Sequence, residues 1–120
     1  EIDQHFARGS VDAVLKSLTA SGSDWCLKMV ATIESKSPLS TRVTFEQIRM
    51  GADLAFRACM ALEFRLTNRF MAAPNFYEGV RAVVIEKDQA PQWQPATLAD
   101  VDDGQVKAYF ASLGDEELTL

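Results

Sequence analysis

The stretch from Leu54 to Met71, LAFRACMALEFRLTNRFM, decides the fold. Leu54, Phe56, Cys59, Met60, Leu62, Phe64, Leu66, Phe70 and Met71 recur at helical spacing and cover more than half of a helix circumference, while Arg57, Glu63, Arg65 and Arg69 fill the remainder. A helix that is apolar so far round is expected to be sandwiched between neighbours. Asp53 stands where an N-cap belongs, and Pro74 is expected to end the helix.

The same periodicity extends in both directions. Upstream, Val11, Val14, Leu15 and Leu18 follow the i, i+3, i+4, i+7 rule, with Ser10 as N-cap and Gly22 as stop. Ser23 caps a second helix carrying Trp25, Cys26, Met29, Val30 and Ile33 to about Lys36. Proline disfavours the helical region for the residue before it and suits a first helical turn, so Pro38 opens a third helix bearing Leu39, Val43 and Ile48 that weakens at Gly51. Downstream, Asn75 and Glu78 have the spacing of a capping box for a fifth helix. Val80, Val83, Val84 and Ile85 are strand-formers by propensity, but the capping signal favours helix. Residues 87 to 97, with Pro91 and Pro95 around Trp93, read as an extended loop pinned by a large aromatic. A last helix runs from about Asp102 to Leu113 and stops at Gly114, and the tail beyond frays or docks through Leu118. No hairpin signal and no strand–helix alternation appears. The expected fold class is all-α, five to six helices with short loops.

The 120 residues suffice for a single domain with a modest core. There are 12 basic and 17 acidic side chains, a net charge of −5, which excludes the basic stripe of a nucleic-acid binder. No apolar run approaches the roughly 18–20 residues of a membrane span. The two cysteines, Cys26 and Cys59, lie in helical patterns and read as reduced core residues.

Catalytic constellations are missing from the pattern. His5 is the single histidine and has no metal-ligand or nucleophile partner at short spacing, so it reads as structural, with no metal site. Glu63 on a largely apolar helix is either a buried base or the partner of an arginine, and the ion pair is the default. Arg81, three residues after Glu78, is placed for an i, i+3 ion pair. Lys87 lies at a helix end, where it meets the last carbonyls or an anion.

The run Phe76-Tyr77-Glu78-Gly79-Val80-Arg81-Ala82, continued by Ile85-Glu86-Lys87-Asp88-Gln89 and Pro91-Gln92-Trp93, resembles the end of the 3-hydroxyisobutyryl-CoA hydrolase family of the crotonase superfamily. That family reads close to D-F-x-E-G-V-R-A-x-L-I-D-K-D-x-x-P-x-W-x-P, with Asn75 and Glu86 here in place of the aspartates. Ser37-Pro38 with Ser40, Met60 to Leu66, and Phe110 to Gly114 extend the likeness through most of the chain.

The resemblance implies that residues 1–120 are the helical C-terminal region of a larger crotonase-type protein whose N-terminal spiral core lies elsewhere. An oxyanion hole and acidic side chains in that core would act on the thioester, so no catalytic residue is assigned here. Glu78, Gly79, Arg81 and Trp93 become the structural motif, and Lys87 the candidate contact to CoA phosphates, one residue further along than in related crotonases. The implied partners are an acyl-CoA substrate and the chain's own core, with no cofactor beyond the CoA of the substrate, no nucleic acid and no membrane. Self-association through an exposed apolar face is also expected. The implied setting is a bacterial cytoplasm or a mitochondrial matrix. A hydratase or isomerase of the same superfamily, and a non-catalytic structural relative, are the alternatives.

Overall fold

The structure, a computed structural model, describes residues 2–120. They form seven α-helices: α1 (Ile2–Phe6), α2 (Val11–Ser21), α3 (Asp24–Glu34), α4 (Pro38–Gly51), α5 (Phe56–Met71), α6 (Pro74–Val80) and α7 (Asp103–Phe110). One π turn continues α6 over Arg81–Ile85, and 3₁₀ turns lie at Leu98–Asp100 and Gly114–Glu116. The all-α class is as expected. The short α1, which has no apolar period of its own, was not.

Sequence signals set most boundaries. The Ser10, Ser23 and Ser37 hydroxyls each accept the amide of the residue three positions on, and Gly22 closes α2 at φ 65°. Three expectations are corrected. Asp53 does not cap α5. Ala55 occupies the N-cap position and offers no side-chain hydrogen bond. α5 stops at Met71, before Pro74 as expected, and Pro74 itself occupies the first turn of α6, because proline forces the preceding Ala73 into extended backbone (φ −109°, ψ 155°) and suits a helix start. Asn75 therefore lies inside α6, and the expected box with Glu78 does not form. Finally, α7 stops at Phe110 rather than Leu113. Arg65 takes the Phe110 carbonyl at 2.7 Å, and Arg69 takes those of Ala111 and Ser112 at 3.2 Å each. Donors from α5 thus satisfy carbonyls that would otherwise need more helix.

Two small cores result. Leu39, Val43, Leu62, Leu66, Val101 and Val106 form one between α4, α5 and α7, flanked by Phe70, Tyr109 and Phe110. Val14, Leu18 and Cys26 form the other between α2 and α3, flanked by Trp25, Met29, Val30, Ile33 and Phe45. His5 anchors α1 to the second. The ring is buried, with Nδ1 2.9 Å from Ser17 Oγ and Nε2 3.6 Å from Cys26 Sγ. Ile48, which shares the apolar pattern of α4 with Leu39 and Val43, is 69% exposed.

Only one side of α5 is covered. Leu62 and Leu66 are buried, but Phe56, Met60, Phe64 and Met71, a stripe at helical spacing, lie open, so the expected sandwich is half made. Glu63 is exposed on this helix and accepts Gln47 Nε2 at 2.5 Å, which removes both the buried-base reading and the arginine pair. Arg65 instead forks onto Glu117 and docks the C-terminal tail.

The molecule is a plate of 48 × 38 × 23 Å. Its radius of gyration is 15.8 Å, against about 13.6 Å for a compact chain of this length.

Candidate functional site

The motif residues meet where α6 runs into the π turn. A straight α-helix would carry Arg81 and the β-branched Val83, Val84 and Ile85 onward at 3.6 residues per turn. The chain instead widens by one residue, and the Glu86 amide reaches the Arg81 carbonyl at 2.8 Å. The Arg81 guanidinium then serves four groups. It forks onto Glu78, with Nε donating to Oε2 at 2.9 Å and a terminal nitrogen to Oε1 at 2.7 Å. The other terminal nitrogen donates to Glu86 Oε2 at 2.5 Å and Asp88 Oδ2 at 2.6 Å. The Ala90 carbonyl completes the set at 3.3 Å.

Electrostatics follow from this geometry. The Arg81 fork, aided by the Gln92 amide, pulls the Glu78 carboxyl down to about 2. Asp88 is lowered by Arg81 and by the Ala90 amide, and Arg81 is raised in return. All four side chains keep between 20% and 57% of their surface open to solvent, so screening moderates these couplings.

Gly79 and Trp93 form the second half of the motif. A β-carbon on Gly79 would sit 3.2 Å from Trp93 Cη2, so the indole lies flush on the helix backbone. Its Nε1 donates to Ser35 O at 3.1 Å, tying the loop to the end of α3.

Asn75 is a site residue that the sequence reading misplaced. Its side chain is buried. Nδ2 donates to Ser37 Oγ at 3.1 Å and to Gln94 O at 2.8 Å, and Oδ1 accepts the Gln94 amide at 2.9 Å. One amide therefore pins the 87–97 loop to the start of α4. Asn75→Ala leaves the Gln94 amide and carbonyl without this partner. A loss of about 1–3 kcal/mol in unfolding free energy is expected, read from urea denaturation.

Lys87 sits at the tip of the turn with φ 57°, and Gln89 follows at φ 56°. Lys87 is exposed and makes no hydrogen bond or ion pair within the described residues, although Glu86 and Asp88 flank it, because both acids are turned to Arg81. The helix-end contact to the last carbonyls does not form. Beside this motif lies an open groove of about 630 Å³ between α4, α5 and α6, walled by Phe70, Met71, Phe76, Val80, Val83 and Val84, with Ser40, Thr44 and Thr67 along one edge. Val83, Val84 and Ile85 are 53%, 61% and 71% exposed.

No group of three metal-ligating side chains occurs among the described residues, and no helix among them is long and apolar enough to cross a membrane. What the arrangement offers is an apolar groove beside a rigid, ion-paired turn that carries one unpaired cation.

Fold and motif together define a helical module of crotonase type. Residues 1–110 match the enoyl-CoA hydratase/isomerase family, and the chain belongs to that family. Among curated relatives, the mitochondrial 3-hydroxyisobutyryl-CoA hydrolase of Danio rerio is 42% identical over 119 residues, covering 99% of this chain and 31% of the relative. The Xenopus tropicalis protein of the same name is 38% identical over 120 residues, 100% of this chain and 31% of its own length. That of Homo sapiens is 34% identical over 118 residues, 98% and 31%. Among solved structures, a carnitinyl-CoA dehydratase from Mycobacterium thermoresistibile superposes with a TM-score of 0.89 at 31% identity, covering 98% of this chain and 34% of that one. An enoyl-CoA hydratase from Rhodobacter sphaeroides superposes equally well, at 0.89 and 31%, covering 99% and 35%. The chain thus spans about a third of the length of the relatives it matches.

Proposed function

We propose that this chain works as the helical C-terminal region of a CoA-thioester hydrolase that cleaves 3-hydroxyisobutyryl-CoA in valine breakdown. The observation that carries the reading is the uncovered apolar surface around the motif. The chain exposes 7803 Å², where a compact monomer of this length exposes roughly 6,500 Å². The excess, about 1,300 Å² over the whole surface of the molecule, is comparable to one partner's share of a substantial interface. The hydrolase name of the relatives supplies the substrate class.

On this reading the stripe Phe56, Met60, Phe64 and Met71 and the groove by Val83 and Val84 pack against the spiral core and help wall the acyl-CoA pocket. The core supplies the oxyanion hole and the acidic groups. The oxyanion hole stabilises the negative charge that develops on the thioester oxygen, the acidic groups take the proton of the attacking water and return one to the leaving sulfur, and CoA leaves as the thiol. Lys87 supplies a cation to the CoA phosphates. Where no core is present, the same face joins two copies of the chain. The mitochondrial naming of the relatives favours a matrix setting, with a bacterial cytoplasm as the other. A hydratase or dehydratase activity is the second reading, favoured by the likeness to the carnitinyl-CoA dehydratase and the enoyl-CoA hydratase.

The test is thiol release from 3-hydroxyisobutyryl-CoA and from crotonyl-CoA, with the full-length protein and with this chain alone. The expected outcome is release from 3-hydroxyisobutyryl-CoA by the full-length protein and none by the chain. Hydration of crotonyl-CoA without thiol release moves the protein to the second reading. Release by the chain alone overturns the assignment of catalysis to the core.

A further inference from the structure

We propose that Arg81 is a positioning residue for an anion-binding turn, holding the 86–90 segment in one shape and keeping Glu86 and Asp88 off the Lys87 ammonium. The inference rests on the reading above, in which Lys87 meets the phosphates of a CoA thioester.

Two independent observations carry it. The first is charge. Lys87 is flanked in sequence by Glu86 and Asp88, and a lysine between two acids would ordinarily be neutralised locally. Here both carboxylates are held on one Arg81 nitrogen, at 2.5 and 2.6 Å, so Lys87 is left without a partner among the described residues. Without Arg81, the turn would hold Glu78, Glu86 and Asp88 against a single lysine and would repel a phosphate rather than attract one.

The second observation is backbone shape. Lys87 and Gln89 both adopt left-handed φ, at 57° and 56°, which residues with side chains rarely do. Such conformations persist where the surroundings over-determine them, and they cluster at ligand-binding sites. Gln89 N reaches Ala82 O at 3.0 Å, Ala90 N reaches Asp88 Oδ1 at 2.9 Å, and Arg81 ties Asp88 and the Ala90 carbonyl to the π turn. Further along the loop, Trp93 lies against Gly79.

The test measures the dissociation constants of CoA and of pantetheine, which lacks the phosphates carried by the CoA nucleotide, for variants of the full-length protein. Lys87→Met is expected to weaken CoA about tenfold, the worth of one charge-assisted phosphate contact, with pantetheine unchanged. Arg81→Met is expected to do the same, and Arg81→Lys, which keeps the charge but not the fork, to recover part of the loss. The decisive variant is Glu86→Gln with Asp88→Asn, which retains the Arg81–Glu78 pair. By charge alone, removing two anions beside Lys87 tightens CoA binding. If Arg81 positions the turn through these acids, binding weakens instead, and adding Lys87→Met then costs little more. Tighter or unchanged binding by the double variant, beside a weakened Lys87→Met, overturns the positioning role alone. Unchanged CoA binding by Lys87→Met overturns the phosphate role of Lys87 itself.

Discussion

Leu66→Ala lowers the unfolding free energy by about 3–4 kcal/mol, which in a domain of ordinary stability is a large fraction of the whole. Leu66 is 3% exposed and lies at the middle of α5, facing Leu39 and Val43 of α4 and Val106 of α7. The site has little means of collapsing around the lost methyl groups. The spacing of α5 from the end of α7 is fixed by arginine contacts, from Arg65 to Phe110 O and Glu117 and from Arg69 to Ala111 O and Ser112 O, and these do not shorten when a leucine is truncated. The cavity therefore stays open, and the cavity cost adds to the lost transfer energy. Phe56→Ala is the control. It is a larger side chain on the same helix, but 77% exposed on the open stripe, and its truncation costs the isolated chain well under 1 kcal/mol. Urea denaturation of both variants reads the contrast. Equal costs would show that the stripe is covered in solution.

Much of the fold was legible because local rules and tertiary packing agree over most of the chain. Ser10, Ser23 and Ser37 cap helices where their hydroxyls predict, and Gly22 ends one. The misreadings fall where a long-range partner overrides the local signal. Asn75 looks like an N-cap in sequence, but Gln94, nineteen residues on, claims its amide. The reach of α7 toward Gly114 is cut short by arginines of α5, forty or more residues earlier. Short α1 is fixed by His5 against Ser17 and Cys26 rather than by any periodicity of its own.

The candidate site was legible in its pieces and not in its geometry. Glu78 and Arg81 at i, i+3 predict one ion pair, and it is present. Nothing in the spacing predicts that Glu86 and Asp88 join the same guanidinium, because that depends on the π turn that brings the chain back one residue later than an α-helix would. The long motif resemblance marked residues 76–93 as a unit, and the physical unit is Arg81 with its three carboxylates, Trp93 laid on Gly79, and Asn75 bracketing Gln94.

The apolar circumference of α5 predicts a sandwich, but its stripe is uncovered, and Met71 at its end continues into the groove walled by Val80, Val83 and Val84. Val84→Asp tests whether that groove is covered by a partner. Val84 is 61% exposed, on the wall of the 630 Å³ groove, and contributes to neither core, so an aspartate there costs the isolated fold little. If the groove is an interface, the same carboxylate is desolvated without a partner, at a cost of several kcal/mol, and association weakens by roughly a hundredfold or more. The isolated wild-type chain is therefore expected to self-associate at micromolar concentration in sedimentation or light scattering, and the Val84→Asp chain to remain monomeric with an unchanged circular dichroism spectrum. In the full-length protein the same substitution is expected to detach the helical region from the core, seen as protease cleavage near the start of this chain together with loss of thioesterase activity. A wild-type chain that stays monomeric at high concentration, beside a full-length Val84→Asp protein that resists protease and keeps its activity, would mean that this face is ordinary solvent-exposed surface. No covering core would then be needed at this face.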